Sequence, residues 1–285
     1  MILMSNNQWK CDENIDVWRT MGEDCSAEAR VKGLVRAYKT VLPDILGLQE
    51  VSIRMGMLMM AELDTVTLPD GGTARYEYVS GGDTPIVYRR DKLKLLESGF
   101  YRYAEAVPGW EGSFNNNETK SYCWGVFEDR QTGTRLALMS THLWYKSSDP
   151  ASPAFQAGSD EARAYQVRQA FGRLNAVMAQ YACACVLMGD LNARMGSPCL
   201  NALQADGWRE VHDIAVGDRD ETRGYHACGP KGFARPEPQP FERAIDHILV
   251  KNEGAAQVLY FRRLTDEWFD RISDHYPLYI DLALQ

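Results

Sequence analysis

The chain has 285 residues, of which 45% are hydrophobic and 25% charged, with a formal net charge of −8. This content suffices for a sizeable core, and the acidic balance argues against broad electrostatic capture of nucleic acid, which normally uses a basic face. No apolar run is long enough for a membrane span or a signal peptide, and seven cysteines are scattered without metal-site spacing. We expect a cytoplasmic chain with free thiols and a single domain over residues 1–285.

The first half of the chain alternates strand-like and helix-like segments. ILMSN predicts a first strand, and Ser26 predicts the cap of a helix whose apolar residues from Val31 to Leu42 recur at helical spacing. DILGLQEV predicts a short strand, and the Met-rich RMGMLMMAEL predicts a helix packed on the core. Five β-type runs follow, namely YEYVS, TPIVYRR, LKLLESGFYRY, SYCWGVFED and RLALMSTHLW.

The second half continues the mixed pattern. SDEARAYQVRQAFGRLNAVMAQY predicts a helix, CACVLMGDLN a strand, and Ser197 with Pro198 the cap and first turn of a third helix. The last three predicted strands are RAIDHILV, AAQVLYFRRL and HYPLYIDLAL. Strands outnumber helices, which indicates packed sheets with helices outside. No linker, low-complexity segment or short-period repeat marks a domain boundary.

Polar residues recur where the predicted strands end. Each one alone could close a turn, cap a helix or lie buried with a partner, so only their joint occurrence indicates a site. In GDLN, Asp190 and Asn192 are two positions apart, and in an extended chain both would point to the same face and into one pocket. The full set is Asn7, Glu50, His142, Asp190, Asn192, Asp246, Asp274 and His275.

The order of these motifs resembles the endonuclease/exonuclease/phosphatase superfamily, which has the deoxyribonuclease I-like fold. The matching stretches run from residue 5 to residue 278 and are SNNQW, GLQEV, IVYRRD, STHL, GDLN, IDHILV and SDHYPL. Each motif is short and weak by itself, but seven motifs in the order typical of the family make the resemblance specific. The resemblance implies an α/β (α+β) fold, a four-layer α/β/β/α sandwich of two packed mixed sheets with outer helices. It also implies an active site at one edge of the sheets that hydrolyses a phosphate ester with a divalent metal.

The acidic residues of these motifs are consistent with the implied metal. Glu50 offers a hard carboxylate for Mg²⁺, the expected cofactor, with Asn7 and Asp274 as further oxygen ligands and Mn²⁺ as the alternative. Together with Asp190 and Asp246, these carboxylates would repel an anionic substrate unless a cation were bound. Zinc is the weaker choice, because no thiolate cluster accompanies the histidines.

The remaining motif residues take catalytic roles by resemblance. Asp190 would orient or deprotonate the attacking water, and the Asn192 amide would donate to a phosphate oxygen. His275 would pair with Asp246, whose carboxylate favours the charged imidazolium, and His142 would be a second phosphate donor. Whether His275 acts as a base or as an electrostatic stabiliser stays open at this point, and we predict a phosphate contact.

The chain departs from the family pattern at several positions. Lys120 stands where the family often has an arginine, so it is a phosphate contact or a solvated lysine. His247 stands where many relatives have tyrosine, which suggests a packing role or one behind the site. Trp144 follows STHL, where an acid is frequent, and with other nearby residues it suggests a substrate-binding wall for a sugar or base, core packing being the alternative. Those residues are Tyr145, Trp110, Trp124 and the run FNNNETK.

Three functions are compatible with these observations. The first is a phosphoesterase for a small soluble phosphorylated substrate of the sugar phosphate or nucleotide type. The second is a DNA or RNA nuclease, and the third is a non-catalytic binding module on the same fold, which would not need so many buried charges. No membrane partner is expected, and the oligomeric state and leaving group are open. A nuclease would need a basic ridge beside the site, drawn from Arg89, Arg90, Lys92, Lys94, Arg262 or Arg263.

Overall fold

The computed structural model describes residues 1–14, 22–104, 106–220, 227–229, 232–234, 240–252, 254 and 256–284. Its helices are α1 (Ala27–Val41), α2 (Ile53–Leu63), α3 (Ser159–Tyr181), α4 (Pro198–Ala205) and α5 (Val211–Ile214). Short 3-10 helices span Lys10–Asn14, Phe241–Arg243 and Glu267–Phe269. The strands are β1 (Ile2–Asn7), β2 (Ile45–Gln49), β3 (Val66–Thr67), β4 (Thr73–Ala74), β5 (Tyr76–Val79), β6 (Ile86–Arg89), β7 (Leu93–Arg102), β8 (Ser121–Asp129), β9 (Arg135–His142), β10 (Ala184–Asp190), β11 (Arg209–Glu210), β12 (Ala227–Gly229), β13 (Gly232–Ala234), β14 (Asp246–Lys251), β15 (Ala256–Arg263) and β16 (Leu278–Leu284).

The long helices and strands agree with the sequence prediction. The side chain of Ser26 accepts the first-turn N–H of Ala29 at 3.2 Å, and Ser197 likewise caps α4, in which Pro198 is the first residue. The elements that the sequence did not predict have two to five residues, as in β3, α5 and the 3-10 helix Lys10–Asn14. Such elements are too short to show a hydrophobic period.

Two six-stranded sheets form the centre of the molecule, in the orders β15-β16-β1-β2-β6-β5 and β11-β14-β10-β9-β8-β7. Their inner faces pack together through apolar side chains such as Leu3 and Ile45 of the first sheet and Val186 and Ile248 of the second. Helices α1 and α2 cover the outer face of the first sheet, and α3 and α4 cover that of the second. The predicted four-layer α/β/β/α sandwich is therefore confirmed.

Strand direction brings the polar strand ends to one edge of the sandwich. β1 and β2 are parallel, as are β9 and β10, so their carboxyl ends coincide. β8, β14 and β16 run antiparallel to these strands, so their first residues lie at the same edge. Asp246 is directly opposite Asp190, and Ser121 is directly opposite His142. Residues far apart in the chain therefore meet at this edge.

Two further observations concern the described part of the chain. None of its helices combines the length and apolarity that a membrane crossing requires. Its six cysteines with described side chains are buried and free, as predicted. Cys228 lies outside the residues whose side chains are described.

Candidate active site

Asn7 and Glu50, at the carboxyl ends of β1 and β2, form one side of the site. The Asn7 amide donates to Glu50 Oε1 at 3.2 Å and to Asp190 Oδ2 at 3.1 Å, which connects the two sheets. Glu50 has a left-handed backbone (φ 55°), unusual for a non-glycine residue and typical of functional sites. Burial opposes its ionisation, but the Lys120 charge, the hydrogen bond from the Lys10 N–H and the His275 charge outweigh burial and lower the pKa of Glu50 below its usual value.

Asp190 ends β10 and is almost completely buried. Burial, supported by the nearby Asp246 carboxylate, raises its pKa to about 6 although His275 acts in the opposite direction. The preceding Gly189 is required by close packing, because a Cβ atom there would lie 1.9 Å from the carbonyl oxygen of Thr141 on β9. The GDLN motif therefore needs its glycine to bring the acid alongside β9.

Asn192 and Asp190 line the same cavity, as predicted, but the backbone conformation that brings them together differs from the predicted one. Its backbone is left-handed (φ 48°), and its N–H donates to Asp190 Oδ1 at 2.9 Å. The chain has thus left the extended conformation, and the prediction that alternation along a strand aligns the two side chains is wrong. A turn brings them together, and the Asn192 amide also donates to the carbonyl of Leu143 at 3.1 Å.

His275 and Asp246 are in direct contact. Asp246 Oδ2 lies 2.8 Å from His275 Nδ1, and the other ring nitrogen of His275 lies 3.8 Å from Asp190 and 3.9 Å from Asp274. Burial alone would lower the pKa of His275, but Asp246 and Asp274 outweigh it and raise the pKa well above its usual value. His275 is therefore an imidazolium at neutral pH, with Nε2–H directed among carboxylates.

His142 and Lys120 form the opposite side of the site. Lys120 Nζ lies 2.6 Å from His142 Nε2, and that nitrogen is 3.7 Å from Glu50 and 3.5 Å from Asp190. Lys120 is only 5% exposed, so its interpretation as a solvated lysine is wrong. Burial lowers the pKa of Lys120, and burial together with the Lys120 charge lowers that of His142 well below the usual range, so His142 is neutral.

Most of these residues line a cavity of about 810 Å³, within the range of small-molecule sites, and Asn7 and Asp246 lie behind that lining. Tyr145 contributes to its lining, as do amides of the FNNNETK run. Trp144 borders the cavity but is only 1% exposed and packs with Val107, Phe114 and Ala162, which agrees with the core-packing alternative. Trp124 is buried in the core, and neither it nor Trp110 is among the described lining residues. The described charged residues of the lining are Glu13, Glu50, Asp83, Asp190 and Asp274 against Lys10 and Lys120, besides His142 and His275.

Sequence reasoning missed the Lys10–Asp83 pair near the site, and it predicted a packing role or one behind the site for His247 without naming its partner. Lys10 donates its backbone N–H to Glu50 Oε2 at 3.1 Å and its ammonium to Asp83 Oδ1 at 2.9 Å. The only available signal was the position of Lys10 just after the SNNQW motif. In the structure, His247 Nδ1 lies 2.8 Å from Glu210 Oε2, and His247 Nε2 lies 2.9 Å from the Ala193 carbonyl.

The donor set fits a divalent cation. Asp274 Oδ1 is buried and has no hydrogen-bond partner among the described residues. Burial with the nearby charges of Glu50 and Asp190 raises the Asp274 pKa to about 7, although His275 opposes this. Candidate ligand atoms of Glu50, His142 and Asp190 lie within 4.8 Å of one another. A cation would relieve the repulsion between these carboxylates and give the orphaned oxygen a partner.

The basic residues considered for a nucleic-acid ridge are not among the described residues that line the cavity. Lys94 lies opposite Glu128, at the end of β8 remote from the site. Arg89 pairs with Asp44 and Asp91, and Lys92 pairs with Asp44. Asp44 precedes β2 whereas Glu50 follows it, which puts these cations a strand length of about 17 Å from the site. Arg90 pairs with Asp64 and Arg262 with Asp218, while Arg263 is buried against Phe241 and Phe261.

Comparisons with known proteins agree with the fold described above. The sequence model of the endonuclease/exonuclease/phosphatase family matches residues 21–275. A mannosyl-6-phosphatase from Bacteroides thetaiotaomicron superposes with a TM-score of 0.73 at 18% identity, covering 100% of both chains. A family protein from Bacteroides vulgatus gives 0.72 at 18% identity, covering 100% of this chain and 98% of its own. D. rerio TDP2 complexed with a single-stranded DNA product gives 0.64 at 16%, covering 99% and 98%. No curated protein matches the sequence.

Proposed function

The chain belongs to the endonuclease/exonuclease/phosphatase family, whose members are hydrolytic phosphoesterases and nucleases, and we propose that it is a Mg²⁺-dependent phosphoesterase for a small phosphorylated metabolite. The observation that carries this proposal is the cavity of about 810 Å³ that contains Glu50, His142, Asp190, Asn192, Asp274 and His275. Its volume suits one small ligand, and its residues supply a base, phosphate donors and oxygen ligands.

Asp190 is the base of the proposed reaction. It accepts a proton from the attacking water while the water oxygen bonds to phosphorus and the bond to the leaving oxygen breaks. A pKa near 6 keeps Asp190 mostly ionised at neutral pH and close to the optimum for proton transfer. The Asn192 N–H and the Asn7 amide each hold one carboxylate oxygen of Asp190, which fixes its orientation.

Three side chains stabilise the charge on phosphate. His275, held as an imidazolium by Asp246, donates its Nε2–H to a non-bridging oxygen, and the second amide hydrogen of Asn192 donates to another. Lys120 provides a positive charge next to neutral His142, which is the further proposed donor. Because these groups are buried, their interaction with developing negative charge is stronger than it would be in water.

Glu50, Asn7 and Asp274 are the proposed Mg²⁺ ligands, with Mn²⁺ as the alternative metal. The bound cation would neutralise charge on the substrate and stabilise the leaving oxygen. Asn7, itself a proposed ligand, also donates a hydrogen bond to Glu50 and so orients the Glu50 carboxylate. The orphaned oxygen of Asp274 is the observation on this chain that supports a cation here.

Charge supports a small substrate over a nucleic acid. Five carboxylates and two lysines are among the described residues of the cavity. Of the other basic residues considered, Lys94 lies at the end of β8 remote from the site, and the rest are paired or buried elsewhere. A polynucleotide would place several further phosphates along such a rim, where the described residues supply only Lys10 and Lys120 as lysine or arginine cations. A metabolite with one phosphate needs only the groups at the metal end.

The proposal is tested by hydrolysis of a panel of sugar phosphates, nucleotides and single- and double-stranded DNA and RNA. We expect the highest kcat/KM on a small phosphate ester, loss of activity with EDTA and its return with Mg²⁺. Asp190→Asn, purified identically, controls for contaminating phosphatase and should be inactive. Efficient, salt-sensitive cleavage of duplex DNA would contradict the proposal and favour a nuclease, and no hydrolysis of any ester would favour a binding module.

A further inference from the structure

Arg30 is a buried cation behind the proposed metal site. It lies near the start of α1, is 1% exposed and is not among the described residues that line the cavity. Taking a guanidinium out of water costs free energy unless its N–H groups find partners. The five N–H donors have five acceptors, namely the carbonyls of Cys25 for Nε (3.0 Å), of Gln8 (2.6 Å) and Ile272 (2.8 Å) for Nη1, and of Trp9 (2.8 Å) together with Asp12 Oδ1 (3.3 Å) for Nη2.

Nη1 of Arg30 joins the segments that carry Asn7 and Asp274. Gln8 directly follows Asn7 at the end of β1, and Ile272 lies two residues before Asp274. The carbonyls of Gln8 and Ile272 accept from this one nitrogen. A shift of either segment would leave a buried donor or acceptor without a partner, so the two hydrogen bonds oppose it. The spacing between these two proposed ligands therefore depends on Arg30.

The peptide unit between Trp9 and Lys10 connects Arg30 to Glu50. Its carbonyl accepts from Arg30 Nη2, and its N–H donates to Glu50 Oε2 at 3.1 Å. A trans peptide is planar, with its C=O and N–H on opposite sides, so the bond to Arg30 helps to aim the N–H at Glu50. Trp9 also has a left-handed backbone (φ 56°), a conformation that persists only where surrounding contacts hold it. Arg30 provides such a contact.

A second connection to the Glu50 segment passes through Asp12. One carboxylate oxygen of Asp12 accepts from Arg30, and the other accepts from the hydroxyl of Ser52. Ser52 lies two residues after Glu50, and its hydroxyl oxygen caps α2 by accepting the N–H of Met55 at 3.0 Å. Arg30 is thus connected to all three segments that carry proposed Mg²⁺ ligands.

We propose that Arg30 is the positioning residue of the metal site and that its fork of hydrogen bonds keeps Asn7, Glu50 and Asp274 in one arrangement. This inference rests on the proposed phosphoesterase function and adds a residue that touches neither metal nor substrate. Mg²⁺ requires near-ideal octahedral geometry, so a small displacement of a ligand weakens its binding. Lysine carries the same charge but has three donors on a single nitrogen, which cannot reach all of these acceptors.

Arg30→Lys tests the fork because it retains the charge. Residues behind metal ligands typically contribute 10–100-fold to metal affinity, so calorimetric titration without substrate should show Mg²⁺ binding weakened by about tenfold or more. The Mg²⁺ concentration that gives half-maximal activity should rise by the same factor. At saturating Mg²⁺, kcat should return to within about threefold of that of the unmodified protein, since the catalytic side chains are unchanged.

Arg163→Lys is the matched control. Arg163 on α3 is 4% exposed, donates to the carbonyls of Trp144 at 3.1 Å and Lys146 at 2.6 Å, and pairs with Asp160. These contacts hold the loop after β9, not the segments of the proposed ligands. The control should lose a comparable amount of thermal stability, measured by circular dichroism, and bind Mg²⁺ within about twofold of the unmodified protein.

Asp12→Asn replaces Arg30→Lys if the melting curves show that the lysine variant does not fold. It removes the charge of the residue between Arg30 and Ser52 and leaves the arginine in place. We expect Mg²⁺ binding weaker by at least about threefold in this variant. Unchanged binding would contradict the positioning role.

The outcomes separate this inference from the proposed function. Unchanged Mg²⁺ binding in folded Arg30→Lys, or equal weakening in Arg163→Lys, would overturn the positioning role while the phosphoesterase function stands. An unmodified protein that neither binds Mg²⁺ nor hydrolyses any ester would overturn both. Weaker Mg²⁺ binding in Arg30→Lys alone, with kcat restored at saturating Mg²⁺, would support the role of Arg30.

Discussion

Consecutive residues of β14 take part in two histidine–carboxylate pairs with similar contacts but different surroundings. Asp246 contacts His275 at 2.8 Å, and His247 contacts Glu210 at the same distance. The second ring nitrogen of His275 faces the cavity residues Asp190 and Asp274. That of His247 donates to the Ala193 carbonyl, and the residue is completely buried.

The difference shows that an ion pair by itself does not indicate catalysis. Both histidines have a raised pKa, because a carboxylate outweighs the effect of burial in each case. Only the pair whose second nitrogen lies beside the cavity carboxylates can contact a substrate. The other pair uses that nitrogen to connect β14 and β11 to the turn after Asp190, so it stabilises the shape of the site.

The largest expected effect is the loss of turnover when the His275–Asp246 pair is changed. His275→Gln should lower kcat by about 10²–10⁴-fold, because it removes the imidazolium that donates to phosphate. The free energy of unfolding should change less than in the corresponding His247 variant, since water entering from the cavity can solvate Asp246. Steady-state kinetics and urea unfolding measure the two quantities. Near-normal kcat in this variant would remove His275 from the mechanism.

The His247–Glu210 pair should show the reverse behaviour. His247→Gln should destabilise the fold by about 3 kcal/mol, because it leaves the buried Glu210 carboxylate without its counter-charge. Turnover of the folded fraction should fall much less than in His275→Gln. Urea unfolding and kinetics at saturating substrate check this, and the distinction between the pairs fails if both variants show the same two losses.

A smaller effect is expected on Mg²⁺ affinity. Variants of Glu50 and Asp190 separate metal binding from proton transfer within the cavity. Glu50→Gln should weaken Mg²⁺ binding by about tenfold, because Mg²⁺ prefers a charged oxygen ligand. Asp190→Asn is the matched control and should bind Mg²⁺ within about threefold of the unmodified protein. Calorimetric titration measures both, and equal weakening in the two variants would contradict the proposed division of roles.

The smallest expected effect is a change in pH dependence. The Asp246 carboxylate helps raise the pKa of His275 above its ordinary value, so Asp246→Asn should lower that pKa. At neutral pH the imidazole then loses its charge, whereas at acidic pH it stays protonated. Activity should therefore fall more at neutral than at acidic pH, as measured by pH–rate profiles. An unchanged profile would mean that Asp246 does not control the charge of His275.

Much of the fold was predictable because its long elements carry local signals. The helix after Ser26 has a cap and an apolar period, and α3 spans the predicted segment from Ser159 to Tyr181. The short strands had too few residues for such signals. At the site, sequence order named Glu50, but the turn at Asn192 was predicted as extended, since one motif does not reveal where a strand ends.

The sequence by itself determined which chemical groups the chain supplies at its strand ends and the order that identifies the family. Only the tertiary structure decided that Lys10 fixes Asp83, that Lys120 is buried against His142 and that His247 braces the turn after Asp190. These contacts join residues 73, 22 and 54 positions apart, respectively. Local propensity extends over a few residues, so such contacts arise only when parallel and antiparallel strands bring their ends to one edge of the packed sheets.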